Sequence, residues 1–402
     1  MQNSNVTSNI AEEKNSSSFI IYVFMTLLIF IQQLPIFQGN LYSQIRLLIY
    51  LLMISLILTS FFKSKKRIKN NILFYGILLL FFSVLLSVIS IVSGNPEFST
   101  VMELGAALGV LYCSASTHVS ERNLSKLVLI YIFLSSLLSI ILIYTYNLSF
   151  QISEQYLVVG KNQIGPLLSY GLLISLYIIL YTKKNMSLKV LLSILTMISF
   201  FTLIMMRNRS SLIAIFIVVI ILIVKKITQK ITLKKLLILI LSSFVLFLFI
   251  QTEFFYITLK MISDSLFLNY NVNDLNSLSA NRTDVYLYAL HYIKENFLFG
   301  ELISSNAFTS LYGFPHNYVL NKLVLYGFFG GMPFILFYGS LVIYTAKKFV
   351  FEQEITISSM LLLFSLIVSL FEYTYPFGPG TTQFMLWFLL GQDIYRENCY
   401  CN

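Results

Sequence analysis

The chain predicts an all-α integral membrane protein of about twelve transmembrane helices, with one large external loop that carries short amphipathic helices. Three observations lead there: 57% hydrophobic against 11% charged residues, a mean hydropathy of +0.81, and apolar runs that recur along all 402 residues. A water-soluble globule of this composition would lack the polar surface that solvent requires. Crossing roughly 30 Å of hydrocarbon takes about 20 helical residues. Runs of that kind fall at 19–38, 41–62, 71–93, 98–117, 127–147, 164–181, 188–206, 210–224, 236–252, 316–346, 355–373 and 381–395.

The opening segment 1–18, MQNSNVTSNIAEEKNSSS, is polar and acidic and has no small-residue cleavage pattern after it, so the first span is expected to stay in the protein behind a solvated, disordered tail. Spans 19–252 then form a bundle of about nine helices, in which 210–224 is short. Residues 253–315 form the large loop, 316–395 the last helices, and 396–402 a terminal tail. The run at 316–346 is too long for one straight span, and Gly327, Gly330, Gly331 and Pro333 mark where it should kink or break. Cys113, Cys399 and Cys401 fit neither a disulfide framework nor a zinc site, and a lipidated tail is the alternative use for the last two.

Basic residues set the orientation. They concentrate in alternate connections: KSKKRIKN at 63–70, TKKNMSLK at 182–189, KKITQKITLKK at 225–235, and Lys347-Lys348. The positive-inside rule makes those connections cytoplasmic, together with both termini and the loop at 118–126, which gathers 19 of the 27 Lys and Arg on one side. The net charge of +10 is therefore mainly a topology signal, and no basic soluble face is left to bind nucleic acid.

The remaining cations need another account: Arg46, Lys161, Arg207, Arg209, Lys260, Arg282, Lys294 and Lys322 fall on the external side. Arg46 and Lys260 read as snorkelling anchors. Arg207, Arg209 and Arg282 suit bidentate recognition of phosphate, for which lysine supplies only a point charge. The same residues also read as turn anchors, or for Arg282 as a partner of Asp284 or a loop acid. In the large loop, NRTDVYLYALHYIKENF at 281–297 predicts an amphipathic helix along the membrane surface, with Asn281 as N-cap, Asp284 in the first turn and a stripe of Val285, Tyr288 or Ala289, Tyr292 and Ile293. The preceding NYNVNDLNSLSAN reads as a lid or a loop ordered by ligand. Pro315-His316-Asn317 closes the loop and places an ionisable imidazole where the chain re-enters the membrane.

Other polar residues invite blander readings. His291 is a surface or packing residue in mid-helix, His118 lies on the cytoplasmic side, and Glu103 faces the bundle interior beside a basic group. Glu372 lines an acceptor site or, more simply, is a solvated loop carboxylate. Tyr286, Tyr312 and Tyr375 are external rings of the kind that stack on sugars.

Four motifs occur in order on this side: Lys161-Asn162-Gln163-Ile164-Gly165, Arg209-Ser210-Ser211-Leu212, Asn281-Arg282 with the helix that ends at Phe299-Gly300, and Pro315-His316-Asn317-Tyr318. Together they resemble the bacterial O-antigen polymerase and ligase superfamily. The closing block carries the best match, through His316, Asn317, Leu320, Leu323, Gly327 and Gly330. The resemblance covers residues 155–345 and reaches the earlier helices in hydropathy alone. It implies a metal-independent glycosyltransferase, without cofactor, that acts on glycans carried by a polyprenyl diphosphate at the outer face of the plasma membrane. Polymerases of this kind extend one lipid-linked repeat unit with another; ligases pass the chain to a different acceptor. A chain-length regulator and a flippase are the partners such a system implies, alongside the membrane lipid itself.

The residues agree with that chemistry on their own terms. A diphosphate is a good leaving group that needs charge stabilisation, and arginines supply it without Mg²⁺. A sugar hydroxyl needs a base with a pKa near neutrality, the natural task of His316. Arg209 and Arg282 match the family's external arginines; Arg207, Lys161, Asn162 and Tyr318 are further candidate contacts to substrate. Asn317 either orients the imidazole or caps the helix that follows. A flippase remains the competing class, although neither an internal repeat nor midplane charges favour it.

Overall fold

The structure is a computed structural model that describes residues 19–37, 39–63, 70–92, 98–149, 160–228, 251–267, 274, 277, 282–302, 308–352, 355–378 and 380–400. The tail 1–18, all but the last two residues of the expected span 236–252, most of the lid segment, Asn281 and Cys401 lie outside the described residues. Helices account for 83% of the structure, and the described residues contain no strand.

In chain order the helices are α1 (Phe19–Gln32), α2 (Asn40–Lys63), α3 (Asn71–Val92), α4 (Phe98–Ser116), α5 (Glu121–Thr145), α6 (Lys161–Tyr181), α7 (Met186–Met205) and α8 (Arg209–Thr228). They continue as α9 (Glu253–Phe267), α10 (Arg282–Glu295), α11 (Phe308–Tyr312), α12 (Tyr318–Ala346), α13 (Ile357–Val368) and α14 (Phe384–Tyr400). Among the described residues, five stretches are long and apolar enough to cross a membrane: Asn71–Ile89, Glu121–Thr145, Lys161–Tyr181, Met186–Met205 and Tyr318–Phe351. Their outward faces agree. On α3 the residues Phe74, Ile77, Phe81, Val84 and Val88, all exposed, repeat at helical spacing, a face that only an apolar solvent would tolerate. The architecture fits an α-helical membrane protein.

Inside the bundle, polar and small side chains bring helices together where lipid offers no hydrophobic gain. Helix α5 packs on α6 and α7. A Cβ on Gly171 of α6 would stand 2.0 Å from Ser135 Oγ of α5, and Ser139 Oγ meets Ser199 Oγ of α7 at 3.4 Å. Helix α14 packs on α4, where buried Gln392 donates to Ser114 O and Thr117 O at 2.7 and 2.8 Å. These bonds satisfy the last carbonyls of α4, which would otherwise be buried without partners.

Several expected boundaries move, each for a physical reason. Helix α8 reaches Thr228 and spans 20 residues, longer than the apolar run, because Lys225 and Lys226 sit in its last turn and reach carbonyls of neighbouring segments, Phe349 O and Leu180 O. Helix α13 stops at Val368, well short of 373, and the chain turns through Ser369–Glu372. The break in α12 falls at Gly327 (φ 63°, ψ −164°), whereas Pro333 is accommodated within helix.

That break has a partner. Phe328 N donates to Phe297 O at 2.7 Å and Phe329 N to Leu298 O at 3.2 Å, so the loop after α10 supplies acceptors that the interrupted helix has lost. Two backbones meet there in the left-handed region. A Cβ on Gly327 would stand 2.4 Å from Phe299 N, and one on Gly300 2.3 Å from Val324 O. Helix α10 is consequently not a free surface helix. Its Ala289 is buried with Val324 of α12 and Phe308 of α11, and Val285, Tyr292 and Ile293 pack around them. The expected stripe is present, and it faces protein.

Candidate functional site

The site assembles at the N-terminal end of α12. Asn317 takes an extended conformation (φ −144°, ψ 130°) and its side chain accepts from Leu320 N at 3.1 Å, which makes it the N-cap. Its amide also reaches Leu370 O at 3.4 Å, and Tyr318 N donates to Ser369 O at 2.9 Å. The head of α12 is thus tied to the turn after α13, and His316 is aimed by that tie. Of the two roles open to Asn317, capping is the one its bonds describe.

Glu372 lies at the centre. It is 6% exposed, which overturns the expectation of a solvated loop carboxylate; the turn at 369–372 folds it back under the loop helices. Arg282, the first residue of α10, donates from Nη2 to Glu372 Oε1 at 3.0 Å and from Nη1 to Phe371 O at 2.8 Å. His316 Nδ1 stands 3.4 Å from Glu372 Oε2, within ion-pair distance but outside hydrogen-bond geometry. The imidazole is 37% exposed and the guanidinium 25%, so both remain reachable from solvent. Arg282 is therefore paired with a loop acid, one of the alternatives its position allowed.

Tyr286, one turn along α10, donates to His316 O at 2.7 Å and to Leu370 O at 3.2 Å. Burial pushes its phenol above the ordinary value, which keeps it a neutral donor. It clamps backbone, so it is not a free platform for sugar. Tyr312 is likewise engaged, stacked on Tyr288 at 4.9 Å, and Tyr375 is 2% exposed. Tyr286 and Tyr375 are therefore not the open external rings that the sequence suggested, whereas Tyr312 stays 47% exposed. Tyr373 is better placed: its ring meets His316 edge-on at 6.0 Å and stacks on Phe314 at 5.0 Å.

The second half of the site comes from α6 and the α7–α8 turn. Lys161 opens α6, and the charges acting on it are those of Arg209, Glu372, Arg207 and Arg282. Arg207 is buried and adopts φ 53° in the tight turn between α7 and α8. Asn208, also buried, accepts from Ser211 N at 3.3 Å and donates to Lys161 O at 3.0 Å, joining the starts of α8 and α6. Asn162 is exposed on the first turn of α6, while Tyr318 is buried in the bundle, its ring stacked on Tyr338 at 5.3 Å. Elsewhere, His291 pairs with Glu295 at 3.5 Å on an exposed face, away from this cluster. Glu103 accepts from Gly380 N at 2.8 Å and is acted on by Arg46 and Lys322.

Arg282, His316 and Glu372 are brought into contact, and Lys161, Arg207 and Arg209 into their electrostatic neighbourhood. Sequence reasoning gave Glu372 too small a part and passed over Asn208. An Asn directly before a Ser-rich helix start was an N-cap signal, obscured by its flanking arginines. Among the described residues no three His, Cys, Asp or Glu side chains gather to hold a metal. No protein-family model matches this chain, and no curated protein matches it.

Proposed function

We propose that this protein is a polysaccharide repeat-unit polymerase of the plasma membrane. It transfers a glycan from a polyprenyl diphosphate to a sugar hydroxyl of another lipid-linked repeat unit. In this reading the chain has about twelve spans, both termini are cytoplasmic, and the site opens outward; a flippase supplies the substrate and a chain-length regulator limits the product. The observation that carries the proposal is that Arg282 and His316 share one buried carboxylate, Glu372, while Lys161 feels that carboxylate together with Arg207, Arg209 and Arg282. With Glu372, these residues come from five separate segments of the chain.

The chemistry follows from that arrangement. A carboxylate beside Nδ1 favours the proton on that nitrogen and leaves Nε2 to accept one, and it stabilises the imidazolium that forms. The acceptor hydroxyl attacks the anomeric carbon and yields its proton to His316. The bond from that carbon to the diphosphate oxygen breaks, and the polyprenyl diphosphate departs with the electron pair. Charge gathers on the leaving group, where Arg209, with Arg207 and Lys161 behind it, stabilises it. Arg282 holds Glu372 in place and offers its remaining N–H groups to the same anion.

Purified protein supplied with lipid-linked repeat units alone should build a ladder of chain lengths. Chain transfer that requires a second kind of acceptor would make it a ligase instead. Cells lacking the protein should display single repeat units, and a membrane-inserted His316→Ala protein that restored the full ladder would remove the base assignment.

A further inference from the structure

A cavity of about 240 Å³ adjoins the site, lined among others by Glu103, Tyr318, Asn321, Lys322, Tyr373 and Phe377. Its chemistry is unusual for the interior of a bundle. Lys322 is 6% exposed, and its ammonium lies 5.7, 5.6 and 5.1 Å from the ring centres of Tyr318, Tyr326 and Phe334. The Tyr318 hydroxyl and Asn321 Oδ1 are buried, and neither has a hydrogen-bond partner among the described residues. A buried hydroxyl or amide oxygen left so carries a desolvation penalty that a bound ligand would relieve. Tyr373 connects the cavity to the candidate base, since the same ring meets His316.

We infer that this cavity holds a neutral sugar ring of the acceptor glycan and presents its hydroxyl towards His316. Aromatic rings and convergent hydroxyl, amide, carboxylate and ammonium groups are what a sugar's apolar face and hydroxyl rim require. Glu103 and Lys322 act on each other, so the charges of the lining offset and a sugar carboxylate would bring an unbalanced charge into a largely buried site. The role as an acceptor subsite rests on the transferase reading; the affinity for neutral sugar does not.

The chain has one tryptophan, Trp387, whose indole stacks on the cavity residue Phe377 at 5.2 Å. It reports on occupancy without any need for turnover. Full-length protein in nanodiscs, free of sugar-based detergent, would be titrated with neutral hexoses, N-acetylhexosamines and the matching uronic acids while Trp387 emission is followed. A saturable response to a neutral sugar is expected. Tyr318→Phe and Asn321→Leu should each weaken it by about three- to tenfold, roughly the loss of one hydrogen bond. Neither variant removes a hydrogen bond of Tyr318 Oη or Asn321 Oδ1 to the described residues, so neither should unfold the protein. Glu103→Gln should shift the preference towards uronic acids, because Lys322 then lacks its counter-charge within the lining.

Absence of a saturable response to any neutral sugar would overturn the inference, as would a response indifferent to both Tyr318→Phe and Asn321→Leu. Saturable neutral-sugar binding without chain extension by wild-type protein would keep the sugar site and sink the polymerase reading. Extension with an unchanged acceptor KM in both variants would do the reverse.

Discussion

The two ends of α12 handle charge differently. At the C-terminal end, cations and carboxylates close on one another: Lys347 Nζ lies 3.2 Å from Glu352, and Lys348 Nζ lies 2.5 Å from Glu352 and 2.9 Å from Glu397 of α14. Nearby on α14, Arg396 pairs with Glu121 at 2.6 Å. At the N-terminal end, Arg282 and His316 share one carboxylate, and Lys161 feels three arginines and that same Glu372. The first pattern neutralises itself and fastens helix ends. The second concentrates positive potential beside a titratable imidazole, which suits an anionic leaving group and a proton in transit.

The largest expected effect separates the two ends outright. His316→Ala should reduce chain extension by about 10²–10⁴-fold. Arg209→Ala should reduce it by about 10²–10³-fold. Arg396→Ala, at the other end, should leave turnover unchanged. Rates measured on equal amounts of folded protein decide this, and a comparable loss from Arg396→Ala would erase the distinction.

Next comes the seam that holds the candidate site in register. Gly327→Ala puts a side chain in the left-handed region and against Phe299 N, and should cost roughly 2–5 kcal/mol of stability. A thermal denaturation midpoint equal to that of the parent would mean that the break in α12 is not braced by the loop after α10.

Glu372→Gln should be milder. The amide keeps an acceptor for Arg282 but no longer stabilises an imidazolium, so turnover should fall by about tenfold while KM for the donor changes little. A wild-type rate would show that Glu372 serves only to hold Arg282.

The smallest effect lies at the C-terminal end. The Lys348 hydrogen bond, followed by Lys347, holds the Glu352 carboxyl below its ordinary value of 4.5. A depressed pKa stabilises the fold above the unfolded value, and the contribution is lost as pH falls from there through the folded value. Glu352→Gln should therefore flatten the acid limb of stability below about pH 4.5 by less than about 1 kcal/mol, the scale of a solvent-screened pair. An unaltered acid limb would dismiss this pair as a contributor.

Much of the helical scaffold was legible because its causes are local. Apolar runs long enough for a helix, the capping Asn317 and the glycines of α12 announce themselves within a few residues of where they act. The candidate cluster was half legible. Arg282, Arg207, Arg209 and Lys161 were suspect as cations that topology does not explain, and His316 as an imidazole where the chain re-enters the membrane, yet nothing near Glu372 in the chain shows that it is buried. Its partner Arg282 lies 90 residues away. Tyr286 and Tyr375 misled for the same reason: an aromatic ring beside a loop looks available until the segments that engage or cover it are placed.

Residue types and their order by themselves determined a helical, membrane-suited chain, where most of its helices begin, and that a histidine heads α12. Only the tertiary structure decided that Glu372 unites Arg282 with His316, that α10 faces protein, and that Glu103 and Lys322 share a cavity. The physical reason is range. Helix formation and capping depend on neighbours within about one turn, whereas a shared carboxylate or a buried cavity exists only once distant segments have packed.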